Sequence, residues 1–425
     1  MEIDWTKGAW QHGSAIQAET RIIVAGDWVP SGRYRELMLT DPVTVYGDLL
    51  LPLRQSDLRI VNLECTLIAN GTPIFKDGAN IKGDPRTVAA LVSIPFNVVC
   101  LANNHAFDYG PEGLRETKHL LQKNSIQSLG AGLAKGEAYQ PLVVSVGKMR
   151  VGLVNFCEGE DCTAAQSGPG VAGWDLCRVI KVVKELKNNV NVIIVIAHCG
   201  REYIPFPPPY IVEAFHRIAE AGADAVLGHH AHVPQGIEVV HGVPLFYSLG
   251  NFVFDQQTDL FYRKTGYLVA IELTGRQLSG FRLIPYFIGP YGLRIIRGAQ
   301  MRWFFERLRR VSDPLSDRER VREAWNGYID SFGSENWLKK SAGLFSLIAG
   351  RSKKSVHRHA KLRNRFATPA HRELVIDAMT RIIDGKMGTA KKWASDLVGE
   401  WLTLTVQDSL VCVEEIGGPP EDTDE

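Results

Sequence analysis

The sequence predicts an α/β protein whose sheet core runs from Arg21 to about Arg297 and is followed by a helical region. Three observations predict it. Short apolar runs of strand length alternate with longer amphipathic stretches across that span. Proline opens two of the amphipathic stretches and glycine closes one, as expected of helix ends. Residues of metal-ligand type gather where the apolar runs stop.

The elements follow in order. RIIVA (21–25), LRIVNL (58–63), FNVVCLA (96–102), VGLVNF (151–156), VIIVIAH (192–198) and DAVLG (224–228) read as core strands. PEGLRETKHLLQKN (111–124), WDLCRVIKVVKELKNN (174–189) and PYIVEAFHRIAEAG (209–222) read as the helices between them. GIEVV (236–240), VPLFYSL (243–249) and TGYLVAIELTG (265–275) read as strands added to that core, some of them antiparallel. The expected organisation is an N-terminal segment 1–20, a sheet domain 21–300, a helical region 301–411 and an acidic, Gly- and Pro-rich tail 412–425 with the composition of a disordered segment.

Composition bounds the function classes. The 425 residues are 45% hydrophobic and 22% charged, ordinary values for a globular protein. A net charge of +1 selects neither nucleic acid nor an anionic membrane. The start MEIDWTKGAWQHGSAIQAET has neither the charged opening nor the apolar stretch of a signal peptide. No apolar run approaches the ~18–20 residues that span a bilayer. A soluble, cytoplasmic chain without a transmembrane segment is expected. Cysteines at 65, 100, 157, 162, 177, 199 and 412 show no paired zinc spacing, and several lie in apolar runs, so reduced buried thiols are expected.

The chemistry collects at strand ends. The first strand runs into Gly26-Asp27 and the second into Asn62-Leu63-Glu64. The third runs into Asn103-Asn104-His105, with Asp108 three residues on. The strand at 192–198 ends in His198, with Glu202 close behind, and the strand at 224–228 ends in the cluster His229, His230, His232. Each residue alone has a plainer reading, such as a turn, a cap or a satisfied core histidine. Five junctions that each offer Asp, Glu, Asn or His are less easily explained one by one. In an open α/β sheet, ligands bind beyond the carboxyl ends of the strands. Mixed oxygen and nitrogen donors suit Mn, Fe or Zn, and more than four donors point to two divalent ions.

The ordered set GD (26–27), NLE (62–64), LANNHAFDYG (101–110), HCGREY (198–203), GHHAHVPQ (228–235) and YSLGNFVFD (247–255) resembles the CapA family of capsule and poly-γ-glutamate synthesis proteins. The resemblance covers about residues 20–290. It implies the calcineurin-like metallophosphoesterase fold, a four-layer sandwich of two mixed sheets flanked by helices. It also implies roles. Asp27 would bind a first metal, Glu64 would bridge, Asn104 and His198 would bind a second, and His230 and His232 would complete the two sites. His105 would move protons beside them, oriented by Asp108, with Glu202 as a supporting group or further acid/base. His229 would be a neighbour rather than a ligand. The sequence departs from the wider fold pattern D-x-H, having Asp27-Trp28-Val29 in its place, which puts plain phosphatase chemistry in doubt.

The resemblance thus implies a dimetal hydrolase of a phosphoester or of a peptide-like γ-glutamyl bond, with His105 as general acid. A second reading keeps the site and makes the reaction a cofactor-independent epimerisation of a peptide residue. A third is a non-catalytic component of a polymer-synthase complex. Three further stretches bear on partners. FPPPY (206–210) either shapes a substrate groove or simply ends one element and starts a helix. FCEGEDC (156–162) carries Glu158, Glu160 and Asp161, which either face the cleft or, as the plainer reading, belong to a solvated loop. RSKKSVHRHAKLRNR (351–365) has seven Lys or Arg and no acid; it reads as a solvated helix face or as a grip for an acidic partner. It lacks the interleaved aromatics of a single-strand nucleic-acid surface.

Overall fold

Two of the fully buried runs in the sequence form strands with the expected limits, Leu58–Leu63 and Val192–His198. Every residue of both is buried, the polar Arg59, Asn62 and His198 included, and their remaining positions are all apolar. The computed structural model describes residues 2–12, 18–134, 136–159, 163–165, 168–345 and 353–410. Glu160, Asp161, Cys162 and the tail 412–425 lie outside them.

Two mixed sheets organise the molecule. In the nine-stranded sheet, Thr20–Val29, Leu58–Leu63, Val98–Cys100 and Gln127–Leu129 run parallel in that order. On the other side of Thr20–Val29, the strands Thr265–Thr274 and Gln277–Gly289 pair antiparallel, and Ala9–Gln11 pairs antiparallel with Gln277–Gly289. Asn251–Phe254 pairs with Thr20–Val29, and Gly292–Ile295 with Gln277–Gly289. The six-stranded sheet places Met149–Cys157, Val192–His198, Ala225–His229 and Val243–Phe246 parallel, with antiparallel edges Leu142–Val146 and Ile237–Val240.

Strand alternation sorts the core into layers. Ile22, Val24, Leu58, Ile60 and Val98 of the first sheet share one apolar cluster with Leu153, Ile194, Ile196 and Leu227 of the second. Their neighbours Ile23, Val61, Val99, Val154, Ile193, Val195 and Val226 belong to a second cluster with the helices Gly110–Lys123, Leu176–Leu186 and Pro209–Glu220. This is the expected arrangement of two sheets with helices outside them. Each fully buried Val, Ile or Leu contributes roughly 1.5–3 kcal/mol, so a one-residue slip that exchanged the two faces would be strongly disfavoured.

The C-terminal helices close the inter-sheet cluster. Trp325 of Arg318–Asp330 and Leu397, Val398 and Trp401 of Lys392–Thr403 belong to it. Trp401 stacks on Tyr262 at 3.6 Å between ring centroids, and its indole N–H donates to the Pro234 carbonyl at 3.2 Å. The helical region is therefore packed into the sheet core. Cys65, Cys100, Cys157 and Cys199 are buried free thiols and Cys177 is an exposed one. No helix among the described residues is long and apolar enough to cross a membrane.

One ion pair outside the site gives a pH signature. His216 lies 2.7 Å from Glu238, which also accepts from the Tyr247 hydroxyl at 2.6 Å. The Glu238 contact raises the His216 pKa above 6.5 against the opposing effect of burial. A raised folded-state pKa means that this contribution is fully present below the unfolded value and is lost as pH rises through the folded one. Urea denaturation at successive pH values should show that loss above pH 6.5, and His216→Gln should flatten it; an unchanged slope in the variant would refute the assignment.

Candidate metal centre

The parallel strands present their carboxyl ends to a common place, and the side chains there meet. Asp27 lies near the end of Thr20–Val29, and Glu64 directly follows Leu58–Leu63. Asn104 and His105 follow Val98–Cys100, while His198 ends Val192–His198. His230 and His232 follow Ala225–His229. Register aligns Asp27 with Asn62 and His198 with His229. The strand carrying Asp27 shifts register between Val24 and Asp27, where Gly26 packs against the Gly250 carbonyl too closely for any Cβ. His230 and His232 have left-handed backbones, with φ of 90° and 55°. Such conformations cost on the order of 1–3 kcal/mol each in non-glycine residues and concentrate at functional sites.

Six of the residues expected as ligands converge. Asp27 Oδ1 accepts from Asn62 Nδ2 at 2.7 Å, and His232 Nδ1 lies 3.3 Å from Asp27 Oδ2. Glu64 Oε1 is 3.4 Å from His198 Nε2 and 3.7 Å from His232 Nε2. His198 Nε2 is 2.8 Å from Asn104 Oδ1 and 3.0 Å from His230 Nδ1. Three overlapping groups bring one donor atom per residue within 4.8 Å of one another: Glu64, His198 and His230; Glu202, His230 and His232; and Asp27, Glu64 and His232. Glu202 thus joins the donor set as well as lining the adjacent cavity.

The donor set fits a divalent cation. Both carboxylate oxygens of the fully buried Glu64 lack a hydrogen-bond partner, as do both ring nitrogens of His229. Buried polar atoms are ordinarily paired, so an unpartnered carboxylate among imidazoles calls for a cation. Burial pushes the Glu64 carboxyl well above its usual range. Burial would also raise Asp27, but the adjacent rings of His229 and His232 override it and hold that carboxylate well below its usual range. Burial, reinforced by neighbouring imidazoles, keeps His198 well below its ordinary value and takes His230 to about 4. Two of the imidazoles are therefore neutral near pH 7, the form that donates a lone pair. His232 is held well above its usual value, against burial, by Glu64 and Asp27.

His229 sits apart from those groups. It ends the strand with its ring Nδ1 at 3.3 Å from Asp27 Oδ1. His105 also stands beside the cluster. Its Nδ1 is 2.8 Å from Asp108 Oδ2, leaving Nε2 as its free nitrogen. Lys76, which sequence reasoning missed, pairs with Asp108 Oδ1 at 2.8 Å and donates to the Asn104 carbonyl at 2.9 Å. Burial lowers the His105 pKa, and Lys76 adds to that against the pull of Asp108. The neutral ring thus offers a proton acceptor first and a donor only after taking a proton.

The structure corrects one reading. Glu158 belongs to no solvated loop: it is buried and lines the same cavity as His105 and His230. It accepts from the Gly200 backbone N–H at 2.7 Å and from the Tyr210 hydroxyl at 2.5 Å, and burial raises it to about 7. FPPPY starts the helix Pro209–Glu220, the second of its two expected roles, and brings Tyr210 to Glu158, while none of its residues lines the cavity. Asn251 of YSLGNFVFD also enters the site, its Oδ1 lying 2.9 Å from His232 Nδ1.

Residues 21–256, more than half of the chain, match the family described as "Bacterial capsule synthesis protein PGA_cap". The chain belongs to that family. Every convergent donor described above falls within the matched span. Among relatives of the PGA_cap chain, the "PGA biosynthesis protein CapA" of Bacillus subtilis is 33% identical over 180 residues, 42% of this chain and 47% of that one. A "Probable polyglutamine synthesis accessory protein" of Mycobacterium tuberculosis is 28% identical over 288 residues, 63% of this chain and 76% of that one. The match thus spans about half the length of the first of these relatives. A solved "5'-nucleotidase precursor" from Thermus thermophilus superposes with a TM-score of 0.41 at 17% identity, over 68% of this chain and 57% of that one.

Proposed function

We propose that this PGA_cap-family chain is a metal-dependent hydrolase of an amide or phosphoester bond. The observation that carries the reading is the unpartnered Glu64 carboxylate among His198, His230, His232 and Asp27, beside the His105–Asp108 pair. Asp27, Glu64, Asn104, His198, His230 and His232 would hold the ions, with Glu202 at the cavity side of the set. Divalent cations bound there supply Lewis acidity, polarising a carbonyl or phosphoryl oxygen and making water a better nucleophile near neutral pH.

The chain's own groups do the rest. Asp108 holds the His105 ring through Nδ1, and Lys76 fixes Asp108 from the other side. The free Nε2 takes a proton from the attacking water and returns it to the leaving atom. Asn62 and His229 orient Asp27, and Asn251 orients His232, as polar partners orient ligand side chains elsewhere. Capsule and PGA biosynthesis in the names of the relatives make the γ-glutamyl amide of poly-γ-glutamate the first bond to test.

The test incubates the full chain with Mn, Fe or Zn and either oligo-γ-glutamate or p-nitrophenyl phosphate. Cleavage that disappears with chelator supports the reading. Cleavage of neither compound counts against it. Solvent deuterium entering a peptide without cleavage would replace it with epimerisation.

A further inference from the structure

We propose that Arg201, backed by Arg365 and His371 of the C-terminal helices, forms an oxyanion-recognition subsite that holds a carboxylate or phosphate of the substrate beside the metal centre. The subsite rests on the hydrolase reading only for where the reacting bond lies; binding of the anion does not require it.

A cavity of about 380 Å³ is lined both by residues of the metal centre and by residues of the C-terminal helical region. His105, His198, His230, His232 and Glu202 line one side of it. Asn364, Thr368 and His371, from the end of Lys353–Ala367 and the start of Pro369–Ile383, line the other. Arg201 lies between, on the HCGREY segment three residues after His198. Its Nε is buried without a hydrogen-bond partner, and no described carboxylate lies within ion-pair distance of its guanidinium.

Arg365 deepens the positive field. It is buried at 8% exposure on a helix where Arg358, Lys361 and Arg363 are exposed. The basic run of the sequence therefore has exposed members and a separate buried one. Burial and then the charge of Arg201 both disfavour the Arg365 cation, and Asp77 compensates only in part. His371 is driven to about 3 by burial and by the same two arginines, so it faces the cavity as a neutral imidazole. Two guanidinium groups that act on each other in a low-dielectric region, with only Asp77 partly offsetting Arg365 and no ion-paired carboxylate on Arg201, gain most from an anionic ligand. The planar fork of Arg matches carboxylate and phosphate oxygens bidentately. A substrate whose reacting bond sits next to a negative group fits both halves of the cavity at once. Chain regions that are far apart in sequence, HCGREY and the helices after 353, thereby set one specificity.

The test uses the full chain after chelation, so that binding is read without turnover. Isothermal titration with tetra-γ-glutamate and, separately, with inorganic phosphate identifies the anion by which arm binds. Arg201→Ala should weaken that binding at least tenfold, and R201K, which keeps the charge and loses the fork, should weaken it less. His216→Gln, at an ion pair away from this cavity, should leave it within twofold. If circular dichroism shows that Arg201→Ala does not fold, R201K and Arg201→Gln carry the comparison. Binding of neither probe, or binding unaffected by every Arg201 variant, overturns the subsite. Intact, Arg201-dependent binding in a protein whose metal-loaded form cleaves neither compound leaves the subsite standing and overturns the hydrolase reading.

Discussion

His105→Ala should lower the rate of metal-dependent cleavage by about 10²–10⁴-fold, the usual contribution of a positioned proton-transfer group. Metal affinity should stay within about threefold, because the His105 ring nitrogens belong to none of the three donor groups. The two readouts together separate a proton carrier from a ligand. kcat/KM on the cleaved compound gives the first, and titration of the chelated protein with the activating ion gives the second. Asp108→Asn should fall between His105→Ala and wild type. The amide can still contact Nδ1, but it no longer fixes the tautomer that leaves Nε2 to accept a proton. If His105→Ala loses metal binding and activity in parallel, the ring is structural or ligating and the assigned role is wrong.

The expected donors were legible because their positions follow from chain direction alone. Parallel strands buried on both faces write themselves as apolar runs, and the residue at which each run stops is the residue at the sheet's rim. Asp27, Glu64, His198 and His230 were found in this way, and register then brings the rims together. The strand Gln277–Gly289 was not legible. Gly280 and Pro285 interrupt its pattern, and its pairing with Thr265–Thr274 shifts register after Glu272. The short helices Gly32–Thr40 and Val88–Ser93 offered too few turns for a period to emerge.

The residues around the donors were hidden for a different reason. Lys76 stands in an unremarkable polar stretch, and only the fold brings it to Asp108. Glu158 sits in a run of acids that looks solvated. Its burial depends on Gly200 and Tyr210, which lie more than forty residues away. Arg365 was visible only as one cation among seven, since which face of a helix turns inward depends on what packs against it. Ligand donors are thus set by local chain geometry, whereas charge compensation and substrate contacts are set by long-range packing. The sequence pattern carries the first far better than the second.

Glu64→Gln should change stability in opposite directions with and without metal. In the metal-free protein the carboxylate is fully buried and neither oxygen has a hydrogen-bond partner, with the nearest imidazole nitrogens at 3.4 and 3.7 Å. Leaving such a group unsatisfied costs about 1–3 kcal/mol, and more if it is ionised. Its folded-state pKa lies above the ordinary 4.5, so its contribution to metal-free stability is fully present below that pH and is lost as pH rises. Glutamine has the same shape, carries no charge and removes that loss. The variant should therefore lose less stability than wild type as pH rises above 4.5 in chelator, and be the more stable of the two at high pH, by urea denaturation. With metal the order reverses. An ion that binds the folded state alone stabilises it by about 2.7 kcal/mol at a hundredfold excess over its Kd. Wild type should gain that amount. The variant should gain almost none, because the one carboxylate shared by two of the three groups has lost its charge. A glutamate kept for packing would behave otherwise: its replacement would destabilise both forms, and metal would add equally to each. That parallel outcome would remove Glu64 from the centre and, with it, the argument that joins the Asp27 group to the His198 group.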